Sequence, residues 1–416
     1  MKIIFIHQNI PGQYKHLARV FGADPKNEVY FISKPKSVEI PGVKKLGYKL
    51  HRELHKNIHH YVAPLESAVL FGQAVARILV NLKTKGFTPD VICAHPGWGE
   101  ALYVKDVYPA VPLLSYFEFY YRSSGSDVGF DPQYEVKLDD LCRIRTKNTN
   151  NLLSLESCDA GISPTRWQRK QFPPEYLYKI ALLHDGIDTG VCVPDKDARL
   201  ELPNGKVLTR NDEVITYIAR NLEPYRGFHI FMRAVEEICR RRPKAQIIIV
   251  GGDAVSYGRR LPKGETYRAK ALSEVKIDPA RVHFLGYVPY DKFLKVVQVS
   301  SAHVYLTYPF VLSWSMLEAM AMGALVIGSD TPPVTEVLTD GKNGLLVDFF
   351  SPKDIADRVD QVLGHKDKMA SLRRQARETI LERYELSDCL KRHVKLIRSL
   401  AGGKLPTMTN PIKVPA

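Results

Sequence analysis

The chain has 416 residues, 45% hydrophobic and 25% charged, the balance of an ordinary globular protein long enough to bury two separate cores. Its formal net charge of +14, with basic excess in both halves, favours anionic partners such as donor phosphates or lipid headgroups. No basic stripe interleaved with aromatics marks a nucleic-acid surface, the six cysteines show no C-x-x-C spacing and read as free thiols, and no run reads as apolar enough to span a bilayer.

Residues 2–7 (KIIFIH) read as a buried first strand, too short for the apolar region of a signal peptide. The turn 8–12 leads into a helix expected to carry Leu17, Val20 and Phe21 on one face, and Gly12 would let backbone approach a ligand at a strand end. Residues 29–33 form the next expected strand. The segment 34–60 is basic and histidine-rich, with His51, His55 and His59 at successive i, i+4 steps. On a helix these would share one face. A solvated basic face is the plainer reading, because no carboxylate or cysteine completes a metal set, and none is assigned.

A helical period over 65–82 precedes a strand ending at His95, which the glycines at 97 and 99 leave free to point into a crevice. After a strand at 112–116 comes an aromatic run with one acid, Glu118. The polar stretch 189–212, with its Pro203-Asn204-Gly205 turn, reads as a linker. Beyond it a strand at 214–219 ends in Arg220 and Arg226, just before a helical pattern at 228–239, and a strand at 246–250 ends in Gly251-Gly252. Two arginines after a strand could be surface residues; their spacing and the helix that follows also fit a phosphate contact, for which the guanidinium of Arg226 offers a planar fork.

The most informative stretch is 303–330: strand, loop, short helix at 315–322, strand. Free N–H groups and the positive end of a helix dipole gather at the loop and helix start, where a phosphate could sit. Ser315 and Glu318 fit a capping box, which would reduce Glu318 to a helix cap; as the alternative, Glu318 faces the ligand. Ser351-Pro352-Lys353-Asp354 is a helix start, and the last helix, from about Ser387, buries Leu390, Val394 and Ile397.

Leu317-Glu318-Ala319-Met320-Ala321-Met322-Gly323, continued by Glu336-Val337 and by Asp340-Gly341-Lys342-Asn343-Gly344, resembles the C-terminal signature of glycosyltransferase family 4. Residues 89–95, 162–165, 184–188, 220–227 and 282–288 resemble further family segments. The resemblance implies an α/β fold of GT-B type, two Rossmann-like doubly wound domains facing across a cleft. It divides the chain into an acceptor-side domain at 1–190, a nucleotide-sugar domain at 191–385, a helix at 386–402 crossing back to the first domain, and a flexible tail at 403–416. The implied reaction is transfer of a hexosyl group from a UDP- or GDP-sugar to an acceptor hydroxyl with retained configuration. It needs no metal or other cofactor and belongs to bacterial glycan, polysaccharide or glycolipid synthesis in the cytoplasm or on the inner membrane face.

By the same resemblance Arg220 and Arg226 hold the diphosphate, Glu318 the ribose, and His95 meets the reacting sugar. Gly12, Gly251, Gly252, Ser313, Trp314 and Ser315 line the donor, while Trp98, Glu118, His51 and His55 are acceptor-side candidates. The chain departs from the family at Phe310, eight positions before Glu318, where the family has a second Glu addressing the donor sugar. Expected partners are the nucleotide-sugar, a glycan, lipid-linked or small-molecule acceptor, and an anionic membrane surface. The other readings are a GT-B sugar-nucleotide epimerase and a binding protein with a degenerate donor site; a dinucleotide oxidoreductase lacks its glycine fingerprint.

Overall fold

The structure is a computed structural model that describes residues 1–408. Of the expected tail, residues 409–416 lie outside the described residues. The chain forms two compact units, one of Met1–Asp185 with the chain from Ser387 on, the other Gly186–Leu386.

The first unit is built on seven parallel strands: β1 (Lys2–Ile6), β2 (Glu28–Ser33), β3 (Val43–Gly47), β4 (Val91–Ala94), β5 (Leu113–Tyr116), β6 (Ala160–Ser163) and β7 (Ile180–Leu182). Their order is β3-β2-β1-β4-β5-β6-β7. Strands covered on both faces read as continuous apolar runs, and alternate residues divide between the two sides. Ile4, Ile6 and Ile92 pack with Phe71, Val75 and Leu79 of the helix Ala63–Thr84. Ile3, Phe5 and Cys93 pack on the other side with Leu17, Ala18 and Phe21 of the helix Lys15–Gly22. Val20 is 42% exposed and not part of that buried face, because Ala18 takes its place.

The terminal helix, Leu386–Ala401, lays Ile397 and Leu400 into the same core, and Leu390 and Val394 pack at its edge. His393 Nε2 lies 3.1 Å from the carbonyl oxygen of His184. The helix Ala63–Thr84 is long and apolar enough to cross a membrane by length and composition, contrary to the sequence reading. Its buried residues, among them Leu70, Phe71, Val75, Leu79 and Leu82, face the core of the unit.

The second unit opens with an antiparallel hairpin, β8 (Arg199–Glu201) and β9 (Val207–Thr209). The stretch expected as a linker is therefore folded. Leu200, Leu202 and Leu208 are buried against Val214, Ile248 and Val250, and the three leucines are too few among polar neighbours to show a period. Gly205, at φ +82°, makes the turn. Six parallel strands follow: β10 (Val214–Asn221), β11 (Gln246–Gly252), β12 (Val282–Gly286), β13 (Ala302–Tyr305), β14 (Val326–Ser329) and β15 (Leu345–Val347). Their order is β12-β11-β10-β13-β14-β15. Strand order reverses beside β1 in one unit and beside β10 in the other, so the loops after β1 and β4, and after β10 and β13, flank the crevice where open α/β sheets bind ligands.

Candidate active site

At the carboxyl end of β10, Arg220 is exposed and makes no side-chain hydrogen bond among the described residues. Arg226 is the opposite case. It is buried, and its Nη1 donates to Tyr305 Oη (3.0 Å), Thr307 Oγ1 (2.8 Å) and the Val311 carbonyl (2.9 Å). Tyr305 Oη in turn accepts from the Ser313 amide at 2.8 Å. Arg226 thus shapes the loop after β13, which carries Phe310 and leads into the helix Trp314–Ala321. Charged donors inside a protein make the stronger hydrogen bonds, so this loop is held firmly.

The helix begins one residue earlier than its sequence pattern suggests. Its cap is Ser313, whose Oγ accepts from the Ser315 amide at 3.3 Å and lies 2.8 Å from Ser315 Oγ. Glu318 is then the fifth helical residue, out of reach of a capping box with Ser315, and Tyr290 Oη donates to its Oε1 at 2.8 Å. The capping reading fails for that reason. The amides of Val311 and Leu312 have no protein acceptor among the described residues. Trp314 is 42% exposed beside them in sequence.

Phe310 is 4% exposed, its ring edge-on to Tyr225 (5.4 Å between centroids) and tilted against Tyr257 (5.0 Å). The loop bearing Tyr257 is pinned by a residue the sequence did not single out: the buried carboxylate of Glu223 accepts from the amides of Ser256, Tyr257 and Gly258 at 3.1, 3.1 and 2.8 Å.

The glycines assigned to the donor are filled from within. A Cβ at Gly252 would stand 2.4 Å from the Tyr287 ring, whose Oη donates to Asn221 Oδ1 at 2.5 Å. A Cβ at Gly251 would meet the Ala219 carbonyl and Leu222, each at 2.8 Å. In the first unit a Cβ at Gly12, φ +49°, would meet His7 Cε1 at 2.4 Å. Each small residue therefore admits a neighbouring protein group, a sufficient reason for glycine without a ligand.

His7 is the first unit's missed residue. It directly follows β1, its Nδ1 accepts from the Asn9 amide at 2.8 Å, and its Nε2 lies 2.6 Å from Gln13 Oε1. Gln13 Nε2 passes a 3.4 Å hydrogen bond to Glu118 Oε1. His95 is buried between Trp98 (4.8 Å, 27°) and Tyr116 (5.5 Å, 22°), with His7 edge-on at 4.9 Å. Burial lowers the pKa of His7 to about 4 and, with His7 nearby, pushes that of His95 well below the ordinary range. Both imidazoles are neutral at pH 7. His95 Nδ1 accepts from the Gly97 amide at 3.2 Å, which leaves the proton on Nε2, and Nε2 has no partner among the described residues. His95 is therefore a neutral imidazole that presents an N–H at Nε2.

Trp98 shows 37% of its surface, over His95. Glu100, also missed, is wholly buried: it accepts from Tyr48 Oη at 2.6 Å and from Gln8 Nε2 at 3.2 Å, and burial raises its pKa. His51 and His55 do not share a helical face. Residues 48–62 form turns, in which His55 Nδ1 accepts from the Asn57 amide and His59 Nδ1 from the Tyr61 amide, local bonds that compete with a helix. Among the described residues, no group of three His, Cys, Asp or Glu side chains is placed to hold a metal ion.

Comparison with known proteins follows the same division. The family model for the glycosyl transferase family 4 group matches residues 25–192, and that for glycosyl transferases group 1 matches residues 201–379. The D-inositol 3-phosphate glycosyltransferase of Nocardioides sp. is 27% identical over 236 residues, 52% of this chain and 49% of the relative. A GDP-mannose-dependent alpha-(1-6)-phosphatidylinositol monomannoside mannosyltransferase of Mycolicibacterium smegmatis is 25% identical over 240 residues, 53% and 57% of the two chains. The chain thus spans about half the length of these curated relatives. Among solved structures, sucrose-phosphate synthase from Thermosynechococcus elongatus has a TM-score of 0.72 at 16% identity, covering 97% of this chain and 100% of that one. HepE of Anabaena in complex with UDP has a TM-score of 0.67 at 14% identity, covering 96% and 100%. Identities this low speak to the fold alone.

Proposed function

The chain belongs to glycosyltransferase family 4 and has the GT-B fold of two Rossmann-like domains, and from that premise we propose that it moves a sugar from a UDP- or GDP-sugar to an acceptor hydroxyl with retained configuration. The observation that carries this is the helix start at Trp314: amides at Val311 and Leu312 without an acceptor among the described residues, Arg226 shaping their loop, and Glu318 held away from the cap. Arg220, at the end of the neighbouring strand, is exposed and free to meet a phosphate. Charge that builds on the leaving diphosphate meets Arg220 and the helix start, the electrostatic stabilisation that contributes most in such sites. The departing phosphate takes the acceptor's proton, which suits a His95 that has no free lone pair to act as base. In this reading no metal or other cofactor is required, Glu318 holds the ribose, and His95 donates through Nε2 to the reacting sugar.

For the acceptor we propose an anionic or lipid-linked molecule. Names of relatives include inositol phosphate and phosphatidylinositol mannoside acceptors. In this chain the exposed Lys49 and Lys56 make no ion pair among the described residues, and Leu50 and Leu54 are exposed beside them in sequence. A peripheral place on the cytoplasmic membrane face goes with that acceptor. The burial of Phe310 favours one second reading, a protein that holds the donor without turning it over.

The test is a panel of UDP- and GDP-sugars scored by thermal stabilisation and by slow release of nucleotide. We expect one donor to raise the melting temperature and to be hydrolysed. Stabilisation without hydrolysis, and without transfer to any acceptor, selects the binding protein; no stabilisation by any donor overturns both readings.

A further inference from the structure

We infer that Tyr290 is a positioning residue for ribose recognition, setting the orientation in which the Glu318 carboxylate meets the ribose hydroxyls; this rests on the reading of Glu318 given above. Tyr290 opens the helix Tyr290–Gln298, directly after Pro289, and its ring lies nearly parallel to Phe293, 5.6 Å between centroids. The ring is 48% exposed, and its contact with Phe293 limits where the hydroxyl points. That hydroxyl lies 2.8 Å from Glu318 Oε1 and 3.4 Å from Cys192 Sγ.

The polarity of this row is determined by chemistry. A carboxylate only accepts, so the single phenol proton goes to Glu318, and the thiol of Cys192 must then donate to the phenol oxygen. Cys192 is wholly buried, and burial raises its pKa to about 11, so it keeps the proton it donates. Burial, with the thiol and the carboxylate alongside, likewise raises the pKa of Tyr290, which stays a phenol across the working range. Glu318 sits too deep in its helix to be oriented by the cap, so a group outside the helix has to orient it. With Oε1 tied to Tyr290, the rotamer is held before the ligand arrives, which is how a supporting contact improves affinity without touching the ligand.

A purely structural Tyr290 would affect all nucleotides alike. The experiment is therefore titration calorimetry of UDP and GDP, and of their 2′,3′-dideoxy counterparts, against wild type, Tyr290→Phe and Glu318→Gln, with melting temperatures recorded for each. Tyr290→Phe keeps the ring stack and removes only the hydroxyl. We expect it to weaken the nucleotide that wild type binds about tenfold, the scale of one charge-assisted hydrogen bond, while its dideoxy form binds as it does to wild type. Equal weakening of both forms overturns the inference, since the effect would not pass through the ribose. No weakening by Tyr290→Phe, where Glu318→Gln loses the preference for hydroxylated ribose, overturns it too and leaves Glu318 standing. If Glu318→Gln keeps that preference, the ribose reading of Glu318 fails and the inference with it.

Discussion

Arg220 and Arg226 stand six positions apart in one motif, yet the structure separates their roles, and paired alanine variants should separate them in solution. Removing the Arg226 side chain leaves Tyr305 Oη, Thr307 Oγ1 and the Val311 carbonyl without their common donor. A buried polar group left unpaired costs about 1–3 kcal/mol. The three share one donor and Tyr305 keeps its bond from Ser313, so the losses will not add fully; about 2–4 kcal/mol is the expected scale. At about 2–4 °C per kcal/mol for a unit of this size, Arg226→Ala should melt several degrees below wild type. It should also lose kcat/KM, because the loop before Trp314 is no longer held. Arg226→Lys restores charge on a shorter side chain that does not reach the position of Nη1, and should recover little of either.

Arg220→Ala breaks no protein contact among the described residues, so its melting temperature should stay within about 1 °C of wild type. Its kcat/KM should nevertheless fall by about 2–4 kcal/mol of transition-state stabilisation. Differential scanning fluorimetry and steady-state kinetics on the donor found by the panel give both numbers. An Arg226→Ala protein as stable as wild type would refute the buried network. Turnover within twofold of wild type for Arg220→Ala would refute its place at the diphosphate.

Three further outcomes are expected. His7, His184 and His393 have folded pKa values of about 4, 3 and 4, below the ordinary 6.5, so between pH 6.5 and 4 the unfolded chain binds more protons and stability falls as pH falls. The slope is about 1.4 kcal/mol per pH unit for each histidine, and a melting temperature flat from pH 7 to 5 would refute it. Vesicles containing anionic lipid should sediment the protein at low salt and release it at high salt, whereas neutral vesicles should not; Lys49→Glu with Lys56→Glu should abolish the effect, and equal binding to neutral vesicles would count against an electrostatic surface. Phe310→Glu should lower the melting temperature and turnover together, and a variant as stable as wild type with a changed order of donors would show that this position reads the sugar directly.

Most parallel strands were legible because strands buried on both faces are written as unbroken apolar runs: KIIFI, QIIIV and the strands flanking Trp314 could be read to within a residue or two, whereas the edge strand β3, VKKLG, was not read as one. Short elements at polar positions were not. The hairpin at 199–209 hides three buried leucines among charges, and the i, i+4 histidines lost their helix to side chains that bond their own turns. Site partners were the least legible part. Tyr290 meets Glu318 across 28 residues, Arg226 meets Val311 across 85, and His7 meets His95 across the switch between β1 and β4. Periodicity records which face of an element is buried; it carries no trace of which distant side chain arrives there. The glycines are ambiguous for a related reason. A sequence marks that a Cβ is not tolerated, but at Gly12 and Gly252 it was protein, His7 and Tyr287, that required the space.

Phe310 shows how such a substitution is absorbed. A carboxylate at this place would need donors around it, and the chain instead supplies rings: Tyr225, Tyr257 and, 4.7 Å from Tyr225, Tyr308. Glu223 spends its carboxylate on three backbone amides of the loop bearing Tyr257, so that loop is fixed over Phe310. A ring 4% exposed in such a setting has little surface left to offer a sugar of any kind. Of the two ways to lose the family's carboxylate, a less polar donor packing on the ring or a loop that hands recognition to other groups, the burial favours the second. The groups left for the task are the amides of Val311 and Leu312, without an acceptor among the described residues, and the Ser313–Ser315 hydroxyl pair, both positioned through Arg226 and Tyr305. Sugar selectivity should therefore respond to Ser313→Ala and Ser315→Ala, which leave the aromatic cluster intact, more than to conservative changes at Phe310 such as Phe310→Leu. A donor panel on those three variants decides it: an unchanged order for both serine variants, with a changed order for Phe310→Leu, would return recognition to the ring.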